Sequence, residues 1–446
     1  MSKRNFVLFI IVLTILILVI FGFLYSRQTG NGTDDTSGGT NFLSRFNPFG
    51  NNEDVPAGDD NTPIDITEEP PEETKPDILT SKLQKIPSFP VAGFQVFLKE
   101  RLKEIPVPVV TTEAGAETVT PAKTTKPTPP ATEFSEAVRY VDRITGNIYQ
   151  TFLDKLSERK FSTTIIPKVY ESVFGNKGSS VLMRYLKADA RTIETFLGGI
   201  PKEVLGADTE INEIKGIFLG DNITDLSLSP DSTKIFYLLN VEEDAVGTIL
   251  NLADNKKTQV FDSPFTEWLS FWPNASMVTL TTKPSAVVQG HMYVLNPTTK
   301  SFTRALGDIY GLTTLTSPNG KLVLYGGSDL ALNTFDIIKK TITPIGLQTL
   351  PEKCTWNNAS DAIYCAVPTS ISGGQYPDSW YQGEVSFTDQ IWKIDTLTGN
   401  TTIVSDPSLD TNGEEIDGIK LALDASGKYL LFVNKKDSFL WKLDLE

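Results

Sequence analysis

Histidine and cysteine are almost absent from this chain of 446 residues, which has one His, two Cys and only four Met. Two cysteines cannot build a zinc ribbon or a disulfide scaffold, and His291 alone cannot supply a two-histidine zinc motif. No metal site and no cofactor is therefore expected. Basic blocks are also missing. Lys and Arg number 40 against 55 Asp and Glu, a formal charge of -15, and nucleic-acid binding needs clustered cations to neutralise phosphates. No G-x-S-x-G elbow occurs, so His291 has no signature of a Ser-His-Asp triad around it. No Gly-rich loop follows a strand and opens a helix, which removes the usual nucleotide cradle. Beyond the first turns of the chain no long amphipathic helix is legible either.

What is present begins with Phe6–Leu24, FVLFIIVLTILILVIFGFL, which carries no charge. Nineteen residues at a rise of about 1.5 Å span about 28 Å, close to the hydrocarbon thickness of a bilayer. Leu24-Tyr25-Ser26-Arg27 lacks the small-residue pattern of a cleavage site, so residues 1–25 read as an uncleaved signal anchor. Lys3 and Arg4 precede the span and Arg27 alone closely follows it, which favours a single pass through the cytoplasmic membrane with the N-terminus inside and the rest extracytoplasmic. Residues 26–78 read as a disordered acidic linker. Between 51 and 77 ten acids face Lys75 alone, a net -9, with too few large apolar residues to form a core.

From 79 to 446 strand-like runs alternate with turn clusters. Leu228-Ser-Pro-Asp-Ser-Thr-Lys234 leads into IFYLL, Thr316-Ser-Pro-Asn-Gly-Lys321 into LVLYG, and Leu423-Asp-Ala-Ser-Gly-Lys428 into YLLFV. Phe271-Trp-Pro-Asn-Ala-Ser276 leads into MVTLTT, and Trp356-Asn-Asn-Ala-Ser-Asp361 into AIYCAV. Pro presets the first turn torsion, Asp or Asn bonds its own backbone, and Gly tolerates positive φ, so each cluster is a tight antiparallel connection. The third strand of each unit, with the turn and the strand after it, reads at 138–153, 292–306, 333–345 and 391–406. First strands beginning near 92, 169, 224, 268, 312, 354 and 419 give three spacings that match the roughly 40–45-residue period of a four-stranded propeller blade. A Pro/Thr/Ala-rich insertion at 105–133 and a second insertion at 369–388 account for the longest spacings.

The last unit supplies three strands before Glu446, and Lys82–Phe89 resembles the fourth strands of other units. The expected fold is all-β, a seven-bladed β-propeller whose N-terminal strand closes the last blade and removes its open edge. Closure of this kind puts the linker and the 105–133 insertion on one face and the 369–388 insertion on the other.

The SPDG-like turns resemble the repeats of TolB-type and WD-repeat-like propellers. LQKIPSFPVAG, VRYVDRITGNIY, IPKVYESVFG, VLMRYLKADARTIETF and KCTWNNASDAIYCAVP resemble a family of membrane-anchored propeller proteins of ultrasmall, candidate-phyla bacteria. That resemblance covers about 80–446 and implies the fold; it implies no catalytic activity.

Few residues carry chemistry. Cys354 and Cys365 flank the NNASD turn at opposed positions of one hairpin, so outside the cytoplasm they are expected to form a cross-strand disulfide; the alternative is two buried thiols. Asp406–Asp417 is acid-rich, but its sixth position is Thr411 where an EF-hand requires Gly, so a solvated acidic loop is expected. Trp268, Trp272, Trp356, Trp392 and Trp441 sit in or beside strands and are expected between blades. Tyr376, Trp380 and Tyr381 lie in the 369–388 insertion and read either as the binding surface for an envelope protein or a glycan or as part of an insertion packed on its own blade. The leading expectation is a non-catalytic binding or scaffolding module. The alternative is an extracytoplasmic hydrolase or lyase that uses carboxylates around the central channel.

Overall fold

The computed structural model describes residues 82–103, 131–203, 205, 213–411 and 413–446. Among them, strands make seven four-stranded antiparallel sheets, the blades of a β-propeller. The first strands of blades 1 to 7 are Val91–Leu102, Val169–Gly175, Ile223–Leu228, Trp268–Asn274, Thr313–Thr316, Cys354–Trp356 and Gly418–Leu423, each starting within one residue of its sequence expectation. First strands touch one another in five of the seven pairs of neighbouring blades, as strands that line the channel do. Fourth strands lie at the rim; Ile342–Gln348 and Lys215–Phe218 are largely exposed.

Second strands are covered on both sheet faces by neighbouring blades, which is why they read as unbroken apolar runs rather than alternating ones. Ala362–Pro368 and Tyr429–Asn434 are buried at almost every position. Seven of the hydrophobic clusters each join two successive blades: Phe174 with Val141 between blades 1 and 2, for example, and Phe432 with Ala366 between 6 and 7. Four of the five strand tryptophans are buried in these seams and Trp392 packs against one.

The turns explain themselves locally. In the connections between first and second strands, Ser232, Gly320, Ser360 and Gly427 occupy the same left-handed position, with φ of 57°, 70°, 63° and 74°. Glycine takes that conformation without strain, and serine takes it where the turn is held by other bonds. Ser229 N bonds Lys234 O, and the Ser229 hydroxyl bonds Asp231 at 2.6 Å. Between third and fourth strands of blades 3 to 6, Asn251, Asn296, Asp336 and Asp395 each accept a backbone N–H two residues on.

Blade 7 contains Gly418–Leu423, Tyr429–Asn434 and Leu440–Asp444, and its fourth strand is Leu83–Lys85 from the front of the chain. Leu83 pairs with Leu443 and Lys85 with Trp441. Ile86 N to Leu440 O at 2.9 Å and Asp444 N to Lys82 O at 2.8 Å extend the ladder at both ends. Leu83 packs in the seam between blades 6 and 7, while Ile86 and Phe89 pack between blades 7 and 1.

Blade 1 departs from the sequence reading in one respect. Residues 138–153 hold its second and third strands, Thr132–Asp142 and Ile148–Phe152, rather than its third and fourth. The cause is the 105–133 insertion, which falls inside the first hairpin and displaces the turn spacing by one strand. Residues 105–130 of that insertion lie outside the described residues, as do the apolar segment Phe6–Leu24 and the acidic linker. Among the described residues no helix is long and apolar enough to cross a membrane.

Deleting residues 80–90 removes three partly or fully buried apolar side chains worth about 1.5–3 kcal/mol each. The thermal midpoint is expected to fall on the order of 10 °C. Scanning calorimetry of the truncated and full propellers checks this, and an unchanged midpoint contradicts closure.

Candidate functional site

Strand direction sets the geometry. Each first strand begins on the face that carries the connections between second and third strands, so residues near its start and the 369–388 insertion share one mouth of the channel. The insertion joins the second and third strands of blade 6 and contains the one-turn helix Asp378–Tyr381.

Its aromatics do not form the expected surface. Tyr376 and Trp380 are each 4% exposed and pack with Leu330, Leu350 and Phe387; only Tyr381, at 38%, reaches solvent. Trp380 is held inside by polar partners as well as apolar ones. Its indole N–H donates to Asp417 Oδ2 at 3.0 Å, and the Lys435 ammonium lies 4.7 Å from its ring centroid.

Beneath the insertion lies a charged cluster with no solvent contact. Lys353 Nζ bonds Asp389 Oδ2 at 2.7 Å and also Asp417 Oδ1, and all three side chains are fully buried. Phe387 N at 3.1 Å and the Ser386 hydroxyl at 3.2 Å also donate to Asp417. Burial pushes the Asp417 carboxyl up, but Lys353 and these donors together outweigh it and hold the group below the usual carboxylate range. Asp389 has fewer donors, from Lys353 and Gly418 N, and burial prevails there, raising it to about 6. The expectation of a solvated 406–417 loop therefore fails at its last residue: Asp417 is the anchor of the insertion. Asp406, at the other end, caps the turn Pro407–Asp410 through Ser408 N at 3.2 Å.

Lys353 follows Glu352 in the 3-10 turn Pro351–Lys353, which leads directly into Cys354. Cys354 pairs with Cys365 across the first hairpin of blade 6, and their sulfurs are 2.11 Å apart. While Lys353 points into the buried cluster, Glu352 points to the channel mouth, where it accepts a hydrogen bond from the Tyr381 hydroxyl.

That mouth holds a cavity of about 480 Å³ lined by Asp225, Leu269, Ser270, Phe271, Lys283, Thr314, Leu315, Glu352 and Tyr381. The size suits a small ligand or a single side chain. Asp225 sits near the start of the first strand of blade 3, and Ser270 and Thr314 occupy similar places in blades 4 and 5. Ser270 donates twice to Asp225 Oδ2, from its N and its hydroxyl, both at 2.6 Å. Burial pushes Asp225 up to about 6 against these two donors, with a small addition from Glu171. Burial pushes Glu352 up to about 7 against the Tyr381 hydroxyl, with the Asp225 charge adding to the rise. Lys283 neutralises neither, because it pairs with Glu267 at 2.8 Å. Arg184, whose charge reaches Asp225, is paired with Glu171. Two carboxyls with raised affinity for protons in one concave site mark a functional candidate.

His291 is elsewhere, half-buried on the third strand of blade 4 with its Nδ1 accepting from Asp308 N at 3.3 Å. Among the described residues no group of three or more His, Cys, Asp or Glu is placed to hold a metal ion.

No protein-family model matches the chain, and no curated protein is significantly similar to it. Solved structures are similar in fold. An oligogalacturonate lyase in complex with manganese is 11% identical, with 70% of this chain and 85% of that one covered and a TM-score of 0.44. The oligogalacturonate lyase of Vibrio parahaemolyticus is 8% identical over 70% and 86%, with a TM-score of 0.45. TolB from Acinetobacter baumannii is 12% identical over 70% and 77%, with a TM-score of 0.40.

Lys353→Ala leaves two buried acids without their cation, which costs about 3–5 kcal/mol. The variant is expected to unfold at lower urea and to be nicked within 369–388 by trace protease, read by mass spectrometry. The raised carboxyls predict a second effect. In the folded state Asp225 and Glu352 hold protons that the unfolded chain releases near pH 4, so stability falls as pH rises through about 6 to 7. Asp225→Asn and Glu352→Gln are expected to stabilise the protein at pH 8, by on the order of 1 kcal/mol each, and to do nothing at pH 4. Urea titrations at the two pH values check the difference.

Proposed function

We propose that this chain is a membrane-anchored, extracytoplasmic β-propeller that serves as a non-catalytic binding or scaffolding module for an envelope protein or glycan, with the channel mouth as its binding face. Anchoring rests on the apolar segment Phe6–Leu24. The binding face rests on one observation: the cavity between Asp225, Phe271, Glu352 and Tyr381 is walled by rigid strands on one side and by a tied-down insertion on the other. A loop held by a fully buried ion cluster presents its surface without an ordering cost on binding, which favours recognition.

A second reading draws on the same two carboxyls. A pair with raised proton affinity in one cavity suits general acid and base work, as in glycoside cleavage.

Crosslinking in the native envelope followed by mass spectrometry tests the first reading. A partner captured by the full chain and at least tenfold less by Phe271→Ala supports the channel mouth. Capture no greater than from an anchor lacking the propeller overturns it. Incubation with envelope glycans adds the second arm: new reducing or unsaturated ends that vanish in both Asp225→Asn and Glu352→Gln establish catalysis instead.

A further inference from the structure

We propose that the channel mouth takes the cationic end of a partner's side chain, an ammonium or guanidinium group on an aliphatic stem, with Asp225 and Glu352 as its counter-charges. This inference rests on the channel mouth being the binding face and adds the chemistry of what enters it.

Three features of the site point to a cation. First, among the described residues neither carboxyl has an ion-pair partner, and the bonds they make leave acceptors over. Both Ser270 donors fall on Oδ2 of Asp225, and Tyr381 donates to Oε1 of Glu352. The second oxygen of each carboxyl has no hydrogen-bond partner among the described residues. Second, Thr313 is 1% exposed and its hydroxyl oxygen has no hydrogen-bond partner. It lines a recess of about 40 Å³ that shares Leu269, Ser270, Phe271, Thr314 and Glu352 with the mouth. Buried hydroxyls are rarely left alone, and a recess of this size holds a water or the head of a ligand. An ammonium brings three donors and no acceptor, matching the two carboxyl oxygens and Thr313 Oγ1 in number. Third, beside Ser270, Thr314 and the Glu267-bound Lys283 the wall carries apolar side chains: Leu269, Phe271 and Leu315 with the Tyr381 ring provide contact for a methylene stem and π faces for its charge.

The surrounding charges leave this role to the ligand. Facing Asp225 are Glu171 and Arg184, which pair with each other. Facing Glu352 are Asp225 and Tyr381, with Asp378 beside Tyr381. Lys283 on the rim is bound to Glu267, Lys353 is turned into its pair with Asp389 and Asp417, and Lys420 on blade 7 donates to Ala92 O at 3.1 Å. A bound cation lowers the proton affinity of both carboxyls, so binding releases protons near neutral pH and weakens in acid.

The test uses the full chain and three probes: Nα-acetyl-lysine methylamide, its uncharged norleucine counterpart and a neutral oligosaccharide. Binding is followed by chemical-shift perturbation and by calorimetry in two buffers of different ionisation enthalpy. The expected result is saturable binding of the lysine probe at pH 8, at least tenfold tighter than norleucine and at least tenfold weaker at pH 5. Proton release on binding is expected at pH 7. Asp225→Asn and Glu352→Gln should each weaken lysine binding tenfold while the fold persists, as shown by their melting curves. Equal binding of lysine and norleucine probes, preference for the oligosaccharide, indifference to both substitutions, or no lysine binding at 50 mM overturns the proposal. Its failure is separable from that of the binding-face reading. If Phe271→Ala abolishes envelope crosslinking and the two charge substitutions do not, the face stands and the cation falls; if none of the three matters, the face falls too.

Discussion

The pairing of Leu83–Lys85 with Leu440–Asp444 is the constraint on which the ring depends. Each of the other six blades is one continuous stretch of chain, and its seams are ordinary apolar packing between neighbouring sheets. The seventh is assembled from both ends of the described chain. Without that pairing, blade 7 presents the open edge of Leu440–Asp444, and the seams that Leu83, Ile86 and Phe89 complete lose side chains. The channel exists only because the ring is shut, and the mouth is built by residues from blades 3 to 6 held at fixed separations around it.

Blade 6 concentrates the specialised features. Within residues 350–390 it carries a buried lysine with one of its two aspartates, a cross-strand disulfide, the insertion and one of the two mouth carboxyls. Burying three charges is expensive unless every partner is in place. Here the arrangement ties one chain segment, Pro351–Lys353, to three others: the end of the insertion, the start of the third strand at Asp389, and the blade 6 to blade 7 connection at Asp417. The consecutive residues Glu352 and Lys353 divide the work. One faces the cavity and the other fastens the wall behind it.

Repeat architecture was legible because it is written in local chemistry. SPDS, SPNG and DASG state where chains reverse, and runs such as IFYLL and YLLFV state which strands are covered on both faces. The insertion in blade 1 misled the strand count there because the spacing carries no mark of which hairpin has been lengthened. The site was less legible. Trp380 and Tyr376 resemble surface recognition residues in a loop, and nothing local shows that Leu330 and Leu350 come from earlier positions to cover them together with the insertion's own Phe387. Asp417 belongs to an acid-rich run and looks solvated until Lys353, 64 positions earlier, is found against it. Asp225 and Glu352 are ordinary acids in sequence; 127 positions separate them, and only ring geometry puts them in one cavity.

The fourth strand of blade 7 is also a mechanical element. It lies at the rim, and chain enters it at Lys82, where Asp444 N to Lys82 O is the first hydrogen bond of the ladder. A load drawn outward from that point meets the bonds one after another, as a zipper does, rather than all together in shear. The ring therefore yields first at its own clasp, releasing Leu83 from the seam between blades 6 and 7 while the disulfide-bonded hairpin of blade 6 stays intact. Opening the clasp would relax the circle of strands that sets the spacing of Asp225 and Glu352.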